Sequence, residues 1–167
     1  MLQGPLSPLY ARIADILEKS GTEVIRIHLS GADAAAWGRR RAIAFRGRRE
    51  AWPGFLHDVM TAQRPDALLL HGDRRPMHKT AVALAGAIGI DVLVTELGYL
   101  RPDWMTLERG GTSALSHFPT DPDRIRAIAQ RSPAVDFAPL FETSLRPLIA
   151  GEAQFAIANT LLWPFWP

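Results

Sequence analysis

Two carboxylates, two arginines, a histidine and an amide hold the positions in this chain that invite chemistry. Asp73 and Arg75 stand in His71-Gly72-Asp73-Arg74-Arg75, directly after the apolar run Ala67-Leu68-Leu69-Leu70, and Pro76 and His78 follow at once. Glu96 comes just after Val92-Leu93-Val94, with Tyr99 and Arg101 beyond it. Gln3 and Gly4 close a short segment at the amino end. A carboxylate so placed can give or take a proton, or attack as a nucleophile. An arginine holds phosphate or a sugar carboxylate through paired N–H donors, and Gln or His orients hydroxyls. Glu96 and Asp73 are thus the candidate catalytic pair. Gln3, Gly4, Arg75, His78, Tyr99 and Arg101 are the candidate binding residues. Plainer roles compete: Asp73 equally suits a helix cap, Glu96 an ion pair with Arg101, and His78 a packing position.

Other chemistries lack their signatures. Gly4-Pro5 is a turn without the GxGxxG spacing of dinucleotide sites, so neither NAD nor FAD is expected. HExxH, the Walker lysine motif and the GxSxG elbow are missing from the sequence. The five histidines are scattered without ligand spacing, and cysteine is absent, so no metal site and no cofactor are expected. Six arginines lie between Arg39 and Arg49, which suits either an anionic partner or a solvated connection between elements. The aromatics do not interleave with them, and no nucleic-acid partner is expected.

The elements that must position these residues follow from hydrophobic period. Residues 1–5 read as the end of a strand. Ser7 offers a cap and Pro8 a pre-set first turn to a helix carrying Leu9, Ile13, Ile16 and Leu17, which Gly21 ends. Val24, Ile25, Ile27 and Leu29 form a β-branched strand, and Pro53 opens the next helix. Ala67–Leu70 and Val92–Val94 are short continuous apolar runs, as expected of strands covered on both faces, and the helix starting at Pro76 lies between them. Strands alternating with helices predict an α/β fold, a Rossmann-like parallel sheet with flanking helices. In such a sheet ligands sit beyond the carboxyl ends of the strands, where Gln3, Asp73, Glu96 and Arg101 should gather.

Beyond Gly98 the pattern is irregular, with turn signals at Arg101-Pro102-Asp103 and Gly110-Gly111. A helix capped at Asp121 should run to about Arg131, and a last one should include Phe155, Ile157, Leu161 and Leu162. Residues 1–150 are expected to form the Rossmann-like domain. Residues 151–167 should make a helix and an aromatic connection ending in Trp163-Pro164-Phe165-Trp166-Pro167.

Three stretches together resemble the capsule polysaccharide biosynthesis and export proteins of the KpsS/LipB type. They are Gln3-Gly4-Pro5, Gly72-Asp73-x-Arg75-Pro76-x-His78, and Glu96-x-Gly98-Tyr99-Leu100-Arg101-Pro102-Asp103-Trp104-x-Thr106-Leu107-Glu108. Weaker echoes are Gly31-x-Asp33 with Trp37, Arg46-Gly47 and Trp52. The residue after Glu96, often acidic in similar proteins, is Leu97 here. The resemblance implies one half of a GT-B-like, two-domain β-Kdo glycosyltransferase of the cytoplasm, peripheral to the inner membrane. It implies CMP-Kdo as donor, an anionic sugar or phospholipid acceptor such as lysophosphatidylglycerol, and a retaining transfer in which a carboxylate serves as transient nucleophile. Similar enzymes bind the donor in the carboxyl-terminal domain, through a His-Pro pair. No histidine precedes a proline in this chain, so the resemblance implies that it is inactive by itself.

Two functions are therefore expected in competition. One is the acceptor-side part of that transferase. The other is a non-catalytic binding module that meets capsule-assembly partners or an anionic membrane through Arg39–Arg49 and the terminal aromatics. Prolines keep Trp163, Phe165 and Trp166 extended, where they cannot bury themselves, so self-association is expected. Deleting residues 163–167 should shift the protein toward monomer in sedimentation with little loss of Tm. Unfolding on deletion would make those aromatics part of the domain's own core.

Overall fold

The computed structural model describes residues 1–5, 7–99, 104–134 and 145–162. Strand β1 (Ile27–His28) pairs in parallel with β2 (Ile43–Ala44). Strand β3 (Ala67–His71) pairs in parallel with β4 (Asp91–Leu97), so that His71 stands opposite Thr95. Residues 1–3 join these two pairs into one surface. The Leu2 amide donates to the Leu69 carbonyl at 2.9 Å, and the His71 amide to the Gln3 carbonyl at 3.1 Å. On the other side the Ile27 amide donates to the Met1 carbonyl at 3.1 Å. The order across the sheet is therefore β2, β1, residues 1–3, β3, β4. The expected α/β fold with a parallel sheet is present.

A fifth strand departs from expectation. Residues read as irregular form β5 (Met105–Arg109), antiparallel to β4, with Glu96 opposite Thr106. The sheet is therefore mixed. Met105-Thr106-Leu107-Glu108 does alternate, but the run is too short and too polar to stand out from a loop. Pairing with β4 supplies what the strand's own sequence does not.

Helices cover both faces. On one, Trp52, Leu56 and Met60 of α3 (Trp52–Gln63) and Ala81 and Ala85 of α4 (Pro76–Ala87) pack on Leu2, Leu68, Leu70 and Val94. Each fully buried Leu or Val contributes roughly 1.5–3 kcal/mol relative to exposure. On the other face, Tyr10 and Ala14 of α1 (Leu9–Lys19) and Trp37 of α2 (Gly31–Trp37) pack against Met1, Val24 and Leu69. Local signals set the starts: Ser7 Oγ accepts from the Leu9 amide, and prolines stand in the first turns of α3 and α4. Asp121 caps α5 (Pro122–Arg131), accepting from the Asp123 amide. The last helix, α6 (Leu145–Leu162), runs unbroken across residue 150, and its Asn159 side chain accepts from the Ala32 amide of α2 at 3.1 Å. The terminal aromatics at 163–167 lie outside the described residues.

The arginine-rich stretch keeps Arg39, Arg41, Arg46, Arg48 and Arg49 exposed, as a solvated connection would, but it is ordered in part. It contains β2 and the buried Phe45, which meets Trp52 edge-to-face at 5.1 Å. Arg40 lies over the Trp37 ring and pairs with Asp15 and Glu18 of α1. Helix α1 is thereby tied to the connection.

Deeper in the same layer is an ion pair that hydropathy did not single out. Arg26 and Asp33 are 3% and 5% exposed, with 3.7 Å between Nη2 and Oδ1. Arg26 also donates to the Leu2 carbonyl and lies beside the Tyr10 and Trp37 rings. Asp33 accepts from the Leu29 amide at 2.9 Å. Burial pushes the Asp33 carboxyl up and the Arg26 guanidinium down, with their mutual attraction opposing both shifts. A buried pair of this kind is costly to break on one side. Arg26→Met should lower unfolding free energy by about 3–5 kcal/mol, since it strands a buried carboxylate. Arg26→Met/Asp33→Asn keeps an acceptor for Leu29 and removes the charge. Denaturant melts should show the double variant more stable than the single. The reverse order would refute the pairing.

Candidate functional site

Helices α1 and α2 lie on one face of the sheet and α3 and α4 on the other. The chain therefore leaves residues 1–3 and β3 in opposite directions, and a crevice opens between their carboxyl ends. One bond spans it. Arg75 Nη1 donates to Gln3 Oε1 at 2.6 Å, joining the turn after residues 1–3 to the turn after β3. Gln3 also hydrogen-bonds Asp33, so the exposed arginine is linked to the buried pair beneath. Gly4 is buried against Tyr10. A Cβ there would stand 2.7 Å from the ring, so only glycine permits this approach.

Tyr10, Thr95 and His71 form the floor. The Tyr10 hydroxyl and Thr95 Oγ1 are 2.7 Å apart, and His71 Nδ1 is 3.1 Å from the same oxygen. Burial, and then the charge of Arg75, hold the His71 imidazole below its usual pKa range.

Asp73 is 4% exposed and does not cap α4. Its Oδ2 accepts from the Thr112 amide at 3.1 Å, and Oδ1 lies 3.6 Å from Arg74 Nε. Glu96 is half-buried near the end of β4, where Ser113 Oγ donates to its Oε2 over a long 3.4 Å. Tyr99 stands 87% exposed, beside an open groove that Thr106, Leu107, Ser113 and Phe118 also line. Gly98 closes that end of β4, because a Cβ would meet the Trp104 carbonyl at 2.6 Å. Arg101, and with it the expected Glu96–Arg101 alternative, lies outside the described residues.

His78 is wholly buried. Its Nδ1 donates to the carbonyls of Gly72, at 2.7 Å, and His71, at 3.1 Å. It therefore holds the turn that carries Asp73 and Arg75, and does not face the crevice as a hydroxyl-orienting group would. Gly72 allows that turn by adopting φ +70°.

A family model described as "Capsule polysaccharide biosynthesis protein" matches residues 66–154, which include Asp73, Arg75, His78, Glu96 and Tyr99. The chain belongs to this family. It is 38% identical over 128 residues to the capsule polysaccharide export protein KpsS of Escherichia coli, covering 77% of this chain and 33% of that protein. It is 31% identical over 125 residues to the capsule polysaccharide modification protein LipB of Neisseria meningitidis serogroup A, covering 74% of this chain and 30% of LipB. The chain thus spans about a third of the length of these relatives. No solved structure matches it.

In this member of the family the structure places Gln3, Arg75, Asp73 and Glu96 along one sheet edge. Several neighbours escaped sequence reasoning. Arg26 was one basic residue in a strand, and His71 and Thr95 were ends of apolar runs. Asp33 was an echo of a motif without a partner. Ser113 lay behind a Gly-Gly signal that announced a turn and no more. Each gains its meaning from a partner distant in sequence.

Burial pushes His78 and His28 down to about 4, against an ordinary 6.5. Both are neutral in the fold, while the unfolded chain takes up protons below pH 6.5. Stability is therefore full above 6.5 and falls as pH drops toward 4, by roughly 3 kcal/mol for each histidine. His78→Asn keeps a donor for Gly72 and cannot titrate. Its Tm should fall less steeply between pH 6.5 and 4.5 than that of the parent. An equal slope would remove His78 from the acid response.

Proposed function

We propose that this chain is the acceptor-side part of a capsule polysaccharide glycosyltransferase that moves β-Kdo from CMP-Kdo to a lipid acceptor. The observation that carries this reading is the Gln3–Arg75 bond at the sheet edge where Asp73 and Glu96 also stand, in a chain of the capsule polysaccharide biosynthesis family. Arg75 would hold the acceptor's phosphate or a sugar carboxylate, with Arg101 as its partner in that role. Gln3 would orient a hydroxyl, and Gly4 would let the acceptor approach the backbone. Tyr99 and the groove beside it would take the adjoining part of the acceptor.

Of the two carboxylates, Glu96 is the more accessible to an entering hydroxyl. Retention needs two displacements: a carboxylate bonds to the anomeric carbon as CMP leaves with the bonding electron pair on its phosphate, and the acceptor oxygen then displaces that carboxylate while Glu96 takes the hydroxyl proton. CMP-Kdo would be bound by parts of the relatives' length beyond this chain. Among the described residues no helix is long and apolar enough to cross a membrane. The resemblance to the KpsS/LipB type would put work on a lipid acceptor at the inner-membrane surface, from the cytoplasmic side.

The test is transfer from CMP-Kdo to lysophosphatidylglycerol by a chimera in which this chain replaces the matching third of Escherichia coli KpsS, followed by mass spectrometry of the lipid. Glu96→Gln in the chimera should lower the rate by about 10²–10⁴-fold with Tm unchanged. A variant as fast as the parent chimera would sink the assignment of Glu96. Complete absence of transfer by the parent chimera, with retained binding of the chain to anionic vesicles, would favour the non-catalytic module.

A further inference from the structure

The turn that follows β5 is built with more constraint than a connection requires. The Gly110 amide donates to the Val92 carbonyl at 2.8 Å, anchoring the turn to β4, and Gly110 has φ +86°. At Gly111 a Cβ would stand 3.0 Å from Asp73 Oδ2 and 2.6 Å from Leu115 Cβ. Any side chain there would push the turn off the aspartate. Thr112 is 1% exposed, and its amide is the donor to Asp73 Oδ2. Two further bonds, Leu115 N to Thr112 O at 2.9 Å and Ser116 N to Ser113 O at 3.1 Å, close the turn.

Ser113 occupies this turn at φ +54°, in the left-handed region that disfavours a residue with a Cβ. Glycine would adopt that backbone without strain but would bring no hydroxyl. The hydroxyl is what reaches Glu96. A strained residue persists when its surroundings over-determine it, and here the surroundings are the Asp73 bond and the Gly111 contact.

We propose that Asp73 is a positioning residue: through the Thr112 amide it clamps the Gly110–Leu115 turn, and the turn aims Ser113 at Glu96. Asp73 then acts on the reaction through another group, and Glu96 alone of the pair meets the acceptor. The inference rests on the transferase reading for its kinetic consequences, and on the clamp geometry for its structural ones. A buried carboxylate already bonded to a backbone amide presents little surface to an acceptor. The same bond makes it an effective strut, because an amide donor bonded to an ionised oxygen is stronger than a neutral pair.

Four variants, made in the chain for hydrogen exchange and Tm and in the KpsS chimera for kcat, separate the roles: Asp73→Asn, Asp73→Ala, Ser113→Gly and Glu96→Gln. Asp73→Asn keeps an oxygen for the Thr112 amide and loses the charge. It should retain slow hydrogen exchange at Thr112 and a kcat within about threefold of the parent. Asp73→Ala should exchange Thr112 rapidly and lose about 10²-fold in kcat through misplacement. Ser113→Gly should hold or raise Tm, by about 2–4 °C, while kcat falls. Strain relief alone would not lower kcat. If Asp73→Asn is as inactive as Glu96→Gln while Thr112 stays protected, the aspartate's charge takes part in the chemistry and the proposal is overturned. Parental kcat in Ser113→Gly overturns it too. Should the parent chimera transfer no sugar, the transferase reading alone fails, and Thr112 exchange decides the clamp. Equal exchange in the parent and both Asp73 variants would then refute it.

Discussion

Backbone hydrogen bonding by residues 1–3 is the constraint on which the rest depends. Without it the chain has a two-stranded sheet, β1–β2, and a separate three-stranded one, β3–β4–β5. With it, Met1 pairs toward β1 and Leu2 and Gln3 toward β3, and one sheet results. The segment brings its own hydrophobic anchor, since Leu2 is completely buried beneath α3 and α4. Arg26 reinforces the same place by donating to the Leu2 carbonyl from the opposite face. The crevice exists because this central segment sends its chain to one side of the sheet while β3 sends its chain to the other. Gln3 thus holds the sheet through its backbone and bonds Arg75 through its side chain.

Burial divides the polar residues around the crevice into supports and tools. His78, Asp33, Arg26 and Asp73 are enclosed and spend their hydrogen bonds on backbone groups or on one another. Enclosure raises the cost of every unmade bond, which fixes these groups in one arrangement. Arg75, Glu96 and Tyr99 keep solvent-facing surface and are free to meet a ligand. The enclosed set holds the turns, and the turns present the exposed set. Low tolerance in the supports and accessibility in the tools are two results of one packing arrangement.

The region matched by the capsule polysaccharide biosynthesis family begins at the approach to β3 and takes in the turn that carries Asp73 and the end of β4 that carries Glu96. It also takes in the Gly110–Leu115 turn, which is the element that links them. Turns tied to strands by buried hydrogen bonds keep these polar groups at fixed separations without demanding that the whole domain be stiff.

The sequence by itself determined the alternation of helix and strand, the parallel core and the edge at which polar residues collect. Those features follow from local rules: continuous apolar runs at Ala67–Leu70 and Val92–Val94, prolines at Pro53 and Pro76, and a cap at Asp121. It also marked Gln3, Asp73, Arg75 and Glu96 by where they fall after strands. Only the tertiary structure made β5 a strand, because its short polar run is stabilised by pairing with β4. Only the tertiary structure turned His78 inward and gave Asp73 to Thr112, thirty-nine residues away. It likewise joined Arg26 to Asp33 and anchored Arg40 on α1. The physical reason is common to all of these. A periodic pattern reports which face of an element is buried, but a polar side chain's role is set by the partner it meets on burial, and that partner comes from a different element.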